Sequence, residues 1–378
     1  MTPMMLSIRR VLPWALVLFV LFSLAAGLLH QRPSVRAAEW ACVPARPHAP
    51  GDFSETIVSG GTMRSYKLHV PPSYVEDEPM PLILNWHGLG GSATGQQSYS
   101  QLPVKADTAG FIVAAPQGLG GPANHNFATI APEPDDVLFT NDLLDELESQ
   151  LCIDPARIFS TGMSKGAQMS TRLGCNASER IAAIAPVAGW YFPPFSPNFP
   201  TEPGCISARP MPVIAFHGDA DGIIPFEGGP GLFGILFRSF EDEIMPEWAA
   251  HNGCDSPPEQ IKVAQNVRRY RHENCDEGAA LDLYLVQGGG HVWPGAVGAT
   301  QEISANDFMW DFFRAHPLDI EKPVGGIAEL PAAAGTPLEA GGAGASRGLL
   351  AGVVAGALAA GGVAAGGAAW YARRRWTS

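Results

Sequence analysis

Short apolar segments alternate with amphipathic segments through the middle of the chain. In residues 136–151 the apolar side chains recur at helical spacing with acidic side chains opposite them, which predicts an amphipathic helix. Two further helices are predicted at residues 165–173 and 305–315. The short apolar and β-branched runs between them predict strands at residues 65–70, 81–86, 111–115, 158–161, 184–187, 213–216 and 281–286. This alternation predicts an α/β fold with a mostly parallel central sheet and helices on both faces.

An apolar segment at residues 11–29 follows two arginines and precedes several small residues. A basic start, an apolar stretch and small residues downstream are typical of an export signal. We therefore predict a signal peptide at residues 1–37. The alternative is an uncleaved signal anchor, because the apolar stretch is longer than in most signal peptides.

A second apolar segment, at residues 349–372, is rich in Ala and Gly and is long enough to cross a bilayer as a helix. The basic residues in 373–378 are expected to stay in the cytoplasm. Residues 318–348, rich in Ala, Gly and Pro, predict a flexible stalk. The resulting prediction is an extracellular domain at residues 38–317, anchored to the cell membrane by the C-terminal transmembrane helix. The alternative for that helix is a weakly structured tail.

Length and charge limit the function of the central region. The chain has 378 residues, and the length between its apolar ends suits one large α/β domain. Its 24 Lys and Arg residues against 37 Asp and Glu residues give a net charge of −13. Such a balance provides no basic surface to neutralise phosphates, so nucleic acid is excluded as the main ligand.

The chain contains six cysteines, an even number that in an exported protein predicts three disulfides. None of them has CxxC spacing, so a zinc site is not expected. Two pairs are sequence neighbours and the third follows by elimination, which predicts Cys175–Cys205, Cys254–Cys275 and Cys42–Cys152. The alternative is a set of free, buried thiols.

The segment Gly162-Met163-Ser164-Lys165-Gly166 matches the G-x-S-x-G pattern and lies between a predicted strand and a predicted helix. In that context a strained turn lifts the serine hydroxyl above the sheet, and the two glycines let the backbone pack closely on both sides. The N-terminus of the following helix then points at the negative charge that develops during attack. We therefore predict that Ser164 is a nucleophile.

A serine nucleophile requires a base and an acid that orients the base, and in this context they follow in the order Ser, Asp, His. His291 comes after the last predicted strand, behind three glycines that permit a tight loop over the sheet edge. The alternative is an ordinary histidine in a surface loop. The acid is expected after the strand at residues 213–216, where Asp221 is favoured over Asp219. The other aspartate would be a turn residue bonded to its own backbone.

An oxyanion hole requires two backbone N–H donors. One is expected from Lys165, directly after Ser164. The other is expected from Leu89, in the glycine-containing loop that follows the predicted strand at residues 81–86. His87 in that loop is predicted to hold the loop by hydrogen bonds rather than to act in catalysis.

Several motifs together resemble one family. They are residues 66–72, His87-Gly88, residues 162–166, His217-Gly218 with Asp221, Asn252-Gly253-Cys254 and residues 288–295. Over roughly residues 53–317 the chain resembles the secreted polyhydroxybutyrate depolymerase and feruloyl esterase group of α/β-hydrolases. The resemblance implies the α/β-hydrolase fold and supports Asp221, because the acid of that family is the fifth residue of the His-Gly box. The chain departs from the family at Lys165, where Asn is usual, which implies a different charge near the substrate.

These features predict an exported serine esterase that hydrolyses carboxylic esters through an acyl-enzyme, with no metal or cofactor. The resemblance implies a polyhydroxybutyrate-type polyester or phenolic esters such as feruloyl esters as the substrate class, which allows a polymeric substrate. Two alternatives stay open. One is a catalytically inactive surface binding protein on the hydrolase fold, and the other is a peptidase on the same fold.

Aromatic side chains near the predicted catalytic residues are candidate substrate contacts. Trp190 follows the predicted strand at residues 184–187 and is expected to line an acyl or aryl pocket, with rim packing as the alternative. Trp293, two residues after His291, is a second candidate. The insert at residues 228–240 has several large apolar side chains, which predict either an apolar flap for the substrate or a core helix.

Overall fold

The central element of the fold is a mixed sheet of ten strands in the order β1-β2-β4-β3-β5-β6-β7-β12-β11-β10. The six strands from β4 to β12 in this order are parallel, and two antiparallel strands complete each edge. The strands are Gly51–Ser59 (β1), Thr62–Val70 (β2), Met80–Trp86 (β3), Ile112–Pro116 (β4), Ile153–Met163 (β5), Ala183–Val187 (β6), Val213–Gly218 (β7), Gly229–Pro230 (β8), Leu236–Phe237 (β9), Glu259–Ala264 (β10), Val267–His272 (β11) and Leu281–Val286 (β12). The predicted, mostly parallel α/β sheet is confirmed.

The computed structural model describes residues 41–119, 124–125, 134–193, 204–205 and 207–320. The predicted signal segment at residues 1–37 and the predicted transmembrane helix at residues 349–372 lie outside the described residues, as does nearly all of the predicted stalk. Within the described ranges, no helix is long and apolar enough to cross a membrane.

Helices cover both faces of the sheet. They are Ala93–Ser100 (α1), Leu102–Ala109 (α2), Asp136–Gln150 (α3), Lys165–Asn176 (α4), Met245–His251 (α5) and Ala305–Ala315 (α6). Helices α3, α4 and α5 bury their apolar side chains in one core cluster, whereas α2 and α6 bury theirs in a second cluster. Because both faces are covered, strands β3, β7 and β12 are almost completely buried and consist largely of apolar residues.

Helix α3 illustrates how the sequence produces these elements. The Asp135 side chain accepts hydrogen bonds from the amides of Val137 and Leu138, which caps the first turn. The predicted apolar stripe then packs on the sheet, with Phe139 and Leu143 fully buried. The neighbouring Asp136 forms a buried ion pair with Arg64 of β2.

The sequence does not predict β1, α1, α2, α5 or the β10–β11 hairpin, and the insert at residues 228–240 also differs from the expectation. The hairpin β10–β11 was not predicted, because its charged residues obscure the strand pattern on an edge that is half exposed. The insert at residues 228–240 contains the two short paired strands β8 and β9, joined by a 3-10 turn at Leu232–Gly234, so the core-helix alternative is wrong. The turn between these strands carries Phe233, which is 82% exposed.

Three disulfides join separate parts of the fold. Cys42 is bonded to Cys152, directly before β5, and ties the start of the described chain to the sheet. The other two bonds are Cys175–Cys205, at the end of α4, and Cys254–Cys275, between the loops that follow α5 and β11. The pairing is the one that the sequence predicts.

Candidate active site

Ser164 lies in a strained turn between β5 and α4. Its backbone has φ 57° and ψ −118°, a conformation that non-glycine residues rarely adopt. The turn requires its two glycines. A Cβ atom on Gly166 would lie 2.0 Å from the Trp86 carbonyl oxygen, and one on Gly162 would lie 2.6 Å from Gly166. The turn therefore places the Ser164 side chain beyond the carboxyl end of β5, as expected for a nucleophile.

Asp221 and His291 form a hydrogen-bonded pair. His291 Nδ1 lies 2.7 Å from Asp221 Oδ2, although the two residues are 70 positions apart in the chain. The other carboxylate oxygen accepts hydrogen bonds from the amides of Ile223, at 2.8 Å, and Ile224, at 3.0 Å. Both oxygens of this buried carboxylate are thus occupied, and its orientation towards the imidazole is set by the backbone.

The pKa of Asp221 lies below its ordinary value. Burial alone would raise this pKa, but the hydrogen bond from His291, the charge of that imidazole and the Ile224 amide together outweigh the effect of burial. The carboxylate is therefore ionised at neutral pH. In that form it accepts a hydrogen bond from Nδ1–H and leaves the lone pair of His291 on Nε2.

Sheet topology brings the three residues to the same edge. Ser164 follows β5, Asp221 follows β7 and His291 follows β12, and these strands run parallel with only β6 between β5 and β7. The carboxyl ends of parallel strands form the usual ligand-binding edge of an open α/β sheet. The structure therefore groups at one edge the three residues that the sequence predicts to be catalytic.

Asp219, the alternative acid, has a different partner. Its Oδ1 accepts a hydrogen bond from the amide of Gly288 at 2.6 Å. The bond joins the loop after β7 to the loop that carries His291. The sequence predicts a turn residue bonded to its own backbone at this position, whereas Asp219 instead holds the histidine loop.

The loop after β3 lies beside Ser164. A Cβ atom on Gly88 would lie 3.4 Å from Ser164 Cβ and 4.0 Å from Ser164 Oγ. Leu89, the predicted oxyanion donor, follows directly. Lys165, the second predicted donor, is the first residue of α4. The two amides named from the sequence therefore belong to backbone segments that adjoin the serine.

His217 is a site residue that the sequence analysis did not assign. It is fully buried at the end of β7, and its Nε2 lies 2.9 Å from the Ile224 carbonyl oxygen and 3.4 Å from Asp221 Oδ2. Burial lowers the pKa of His217 to about 4, so the ring is neutral at pH 7. The His217-Gly218 pair, four residues before Asp221 in the sequence, could have identified His217 as a site residue.

The two tryptophans predicted to contact substrate are buried. Trp190 is 1% exposed and packs against Trp248 and Phe240. Trp293 is also 1% exposed, and its Nε1–H donates to Asn306 Oδ1 at 3.0 Å. Neither side chain offers surface to a ligand in this structure. Their place is in the packing around the site, because large aromatic side chains bury the most apolar area.

Comparison with known proteins agrees with this architecture. A family model described as Phospholipase/Carboxylesterase matches residues 136–248, which include Ser164 and Asp221. The acetyl xylan esterase from Aspergillus awamori superposes with a TM-score of 0.52 at 16% identity, covering 70% of this chain and 99% of that one. At that identity the similarity establishes the fold.

Curated relatives extend the similarity to sequence. Feruloyl esterase B of Piromyces equi is 34% identical over 235 residues, covering 61% of this chain and 42% of that protein. The protein named "Putative esterase NocK" of Nocardia uniformis is 31% identical over 314 residues, covering 74% of this chain and 88% of that protein. Feruloyl esterase D of Neurospora crassa is 27% identical over 268 residues, covering 67% and 82% of the two chains. The chain therefore belongs to the feruloyl esterase-like family of α/β-hydrolases and is a carboxylic ester hydrolase.

Proposed function

We propose that the chain hydrolyses esters through an acyl-enzyme on Ser164, with His291 as the base and Asp221 as the acid that orients it. The observation that carries the proposal is the 2.7 Å bond between His291 and Asp221, at the sheet edge where the strained turn presents Ser164. A hydrogen-bonded base and acid at the same end of the sheet as a serine on such a turn are the set of groups that serine hydrolysis requires.

The steps follow from the position of each group. Ser164 Oγ attacks the ester carbonyl carbon while His291 Nε2 takes the hydroxyl proton, and Asp221 stabilises the imidazolium that forms. The amides of Leu89 and Lys165 donate hydrogen bonds to the oxyanion of the tetrahedral intermediate. The imidazolium then gives its proton to the departing alcohol. In the second half, His291 takes a proton from water, which hydrolyses the acyl-serine and releases the acid.

The proposed substrate class is phenolic esters of the feruloyl type. Two of the relatives named above are feruloyl esterases, which supports an aryl ester over a polyhydroxybutyrate-type polyester. The β8–β9 hairpin adds support. Its exposed apolar residues Phe233 and Leu236 lie near the acid, because the adjacent Leu232 amide bonds the carbonyl of Ile223, two residues after Asp221. We propose that this hairpin provides apolar contact to the substrate.

The decisive experiment compares three substrates with matched serine variants. Ser164→Ala is expected to abolish hydrolysis of methyl ferulate, while Ser98→Ala on the exposed face of α1 is expected to behave as wild type. Methyl ferulate should be cleaved faster than polyhydroxybutyrate or a peptide p-nitroanilide. Activity that persists in Ser164→Ala would overturn the mechanism, and faster release from polyhydroxybutyrate would overturn the substrate class.

A fluorophosphonate probe separates the esterase from the inactive binding protein. The probe reacts only with an activated serine, so labelling of the wild type and loss of labelling in Ser164→Ala are expected. A folded wild-type protein that fails to react would favour the binding protein. Circular dichroism of both proteins provides the control for folding.

We further propose that the chain is exported and that the segment at residues 349–372 anchors it to the membrane. The three disulfides support export, because such bonds persist mainly outside the cytoplasm. Full-length protein should sediment with membranes and resist extraction with carbonate, whereas a chain that ends at residue 348 should be released. Release of the full-length chain by carbonate would contradict the anchor. N-terminal sequencing would establish whether residues 1–37 are removed.

A further inference from the structure

The loop after β3 contains a buried histidine that the proposed mechanism does not use. We propose that His87 is a positioning residue that sets the orientation of the Gly88–Leu89 peptide, so that the Leu89 amide faces the oxyanion. The inference rests on the proposed function, because it assigns a cause to the geometry of one of its two donors. It goes beyond holding the loop, since it specifies which ring nitrogen acts and on which peptide.

The His87 side chain bonds to the backbone of the next residue. His87 Nδ1 lies 2.7 Å from the carbonyl oxygen of Gly88, and the amide of Gly91 donates to the same oxygen at 3.0 Å. Two donors therefore hold this oxygen on one side of the chain. Since a trans peptide is planar, with its C=O and N–H pointing in opposite directions, the Leu89 N–H is directed to the other side.

The Gly88 backbone lies beside the nucleophile. A Cβ atom built on Gly88 would be 3.4 Å from Ser164 Cβ and 4.0 Å from its Oγ. Among the residues that the structure describes, the Leu89 amide has no hydrogen-bond partner. A backbone donor without a partner, beside the nucleophile, is suited to a charge that exists only during the reaction.

The hydrogen bonds to His87 Nε2 define the tautomer of the ring. The amide of Gly118 donates to His87 Nε2 at 3.0 Å, and the side-chain amide of Gln117 lies 3.1 Å from the same nitrogen. Gln117 presents its NH₂ there, because its oxygen accepts from the amide of Ala93 at 2.9 Å. Nε2 must therefore carry the lone pair, and the proton must be on Nδ1, facing the Gly88 oxygen.

Charge state and packing agree with this tautomer. Burial lowers the pKa of His87, which keeps the ring neutral at pH 7. One side of the ring packs against His125 at 4.3 Å between centroids, so the imidazole is confined. A glycine at position 88 leaves the peptide without side-chain restraint, and we infer that the bond from Nδ1 supplies the restraint.

Two isosteric variants separate the two nitrogens. The amide NH₂ of Asn occupies the position of Nδ1, so His87→Asn retains the bond to the Gly88 oxygen and loses the acceptor for Gly118. The amide oxygen of Gln occupies the position of Nε2, so His87→Gln retains the acceptor and loses the donor. Each variant keeps one polar group of the imidazole, the Nδ1 donor or the Nε2 acceptor, and loses the other. The two variants are therefore matched controls for each other.

The expected result is a difference in kcat alone. Loss of one oxyanion donor lowers kcat by about 10²-fold or more, so His87→Gln should lose about that much on methyl ferulate with KM nearly unchanged. The kcat of His87→Asn should stay within roughly 5-fold of the wild-type value, even if its melting temperature falls as much as that of His87→Gln. A boronic acid inhibitor, whose tetrahedral adduct occupies the oxyanion site, should bind His87→Gln more weakly by a factor similar to the loss in kcat.

Failure of the inference and failure of the proposed function give different results. Equal losses of kcat in the two variants, with Ser164→Ala inactive, would overturn the inference and leave the mechanism intact. Activity retained in Ser164→Ala would overturn the mechanism itself. If His87→Gln does not fold, ¹⁵N NMR of wild-type histidines decides the question. A neutral ring protonated on Nδ1 is expected for His87, and a ring protonated on Nε2 alone would overturn the inference.

Discussion

Replacement of Asp221 by Asn tests the proposed catalytic pair most directly. In the wild type, Asp221 Oδ1 accepts from the amides of Ile223 and Ile224, and Oδ2 accepts from His291 Nδ1. The asparagine must keep its oxygen towards the two backbone amides, because its NH₂ group would otherwise face two donors. The NH₂ group is therefore directed at His291 Nδ1, to which it can only donate.

The magnitude follows from the tautomer that this donation selects. A donor opposite Nδ1 places the imidazole proton on Nε2, the atom that has to accept the proton of Ser164. Loss of the correct tautomer in a Ser-His-Asp triad lowers kcat by about 10⁴-fold, which corresponds to about 5 kcal/mol in the activation free energy. We expect a decrease of that order for Asp221→Asn. KM should change by less than about 3-fold, because the carboxylate does not face the substrate.

The assay is the release of ferulate from methyl ferulate, with kcat, KM and melting temperature measured for each protein. Asp219→Asn is the matched control, because its oxygen can still accept from the Gly288 amide, and its kcat should lie within about 3-fold of wild type. A folded Asp221→Asn protein with kcat within 10-fold of wild type would refute the reasoning. So would equal losses in the two variants, because these would indicate a general effect of charge.

Three further predictions concern stability. Burial lowers the pKa of His217 from 6.5 to about 4, so the unfolded chain binds a proton between these pH values and the folded protein does not. The free energy of unfolding, measured by urea titration, should therefore be highest above about pH 6.5 and fall by about 3 kcal/mol as the pH drops to 4. Gly166→Ala should destabilise by about 1–3 kcal/mol and lower activity, because its Cβ would lie 2.0 Å from a carbonyl oxygen of β3. Replacing Cys42 and Cys152 by Ala should cost about 5 kcal/mol, since their bond closes a loop of 110 residues.

Each of these predictions has a control. For the pH effect, His217→Phe should flatten the titration between pH 6.5 and 4, and an unchanged slope would assign it to other groups. For the turn, Gly222→Ala introduces a methyl group with no atom within 4 Å, so its stability should change by less than about 0.5 kcal/mol. For the disulfide, reducing agent should lower the melting temperature of the wild type, and a Cys42/Cys152 variant as stable as the oxidised wild type would contradict the estimate.

Much of the fold was predictable because its signals are local. Helix α3 has apolar residues at helical spacing, and the buried strands β3, β7 and β12 are short runs of mostly apolar residues. The turn at Ser164 was predictable for a similar reason, since its two glycines and the flanking elements lie within a short segment. The local pattern already favoured Asp221 over Asp219, and the family resemblance supported that choice.

Other features depend on contacts between distant segments and could not be predicted. The strands β10 and β11 carry charged residues at a sheet edge, and the pairing of β10 with β11 and of β11 with β12 defines them rather than an apolar pattern. Trp190 and Trp293 are of a residue type that often lines ligand pockets, and only the packing of the folded chain reveals that both are buried. A side chain's exposure depends on what covers it, which the local sequence does not specify.

The sequence by itself determined the class of fold, the serine on its turn and the candidates for base and acid, because each depends on residues close together in the chain. Only the tertiary structure decided which atoms meet. The sequence predicts that Asp221 orients His291, and the structure identifies the atoms of that bond as Oδ2 and Nδ1. The use of Asp219 to hold the histidine loop and the bond from His87 Nδ1 to the Gly88 oxygen were not evident from the sequence. Strand order and loop packing bring these groups within hydrogen-bond distance, and such contacts become defined only when the sheet is assembled.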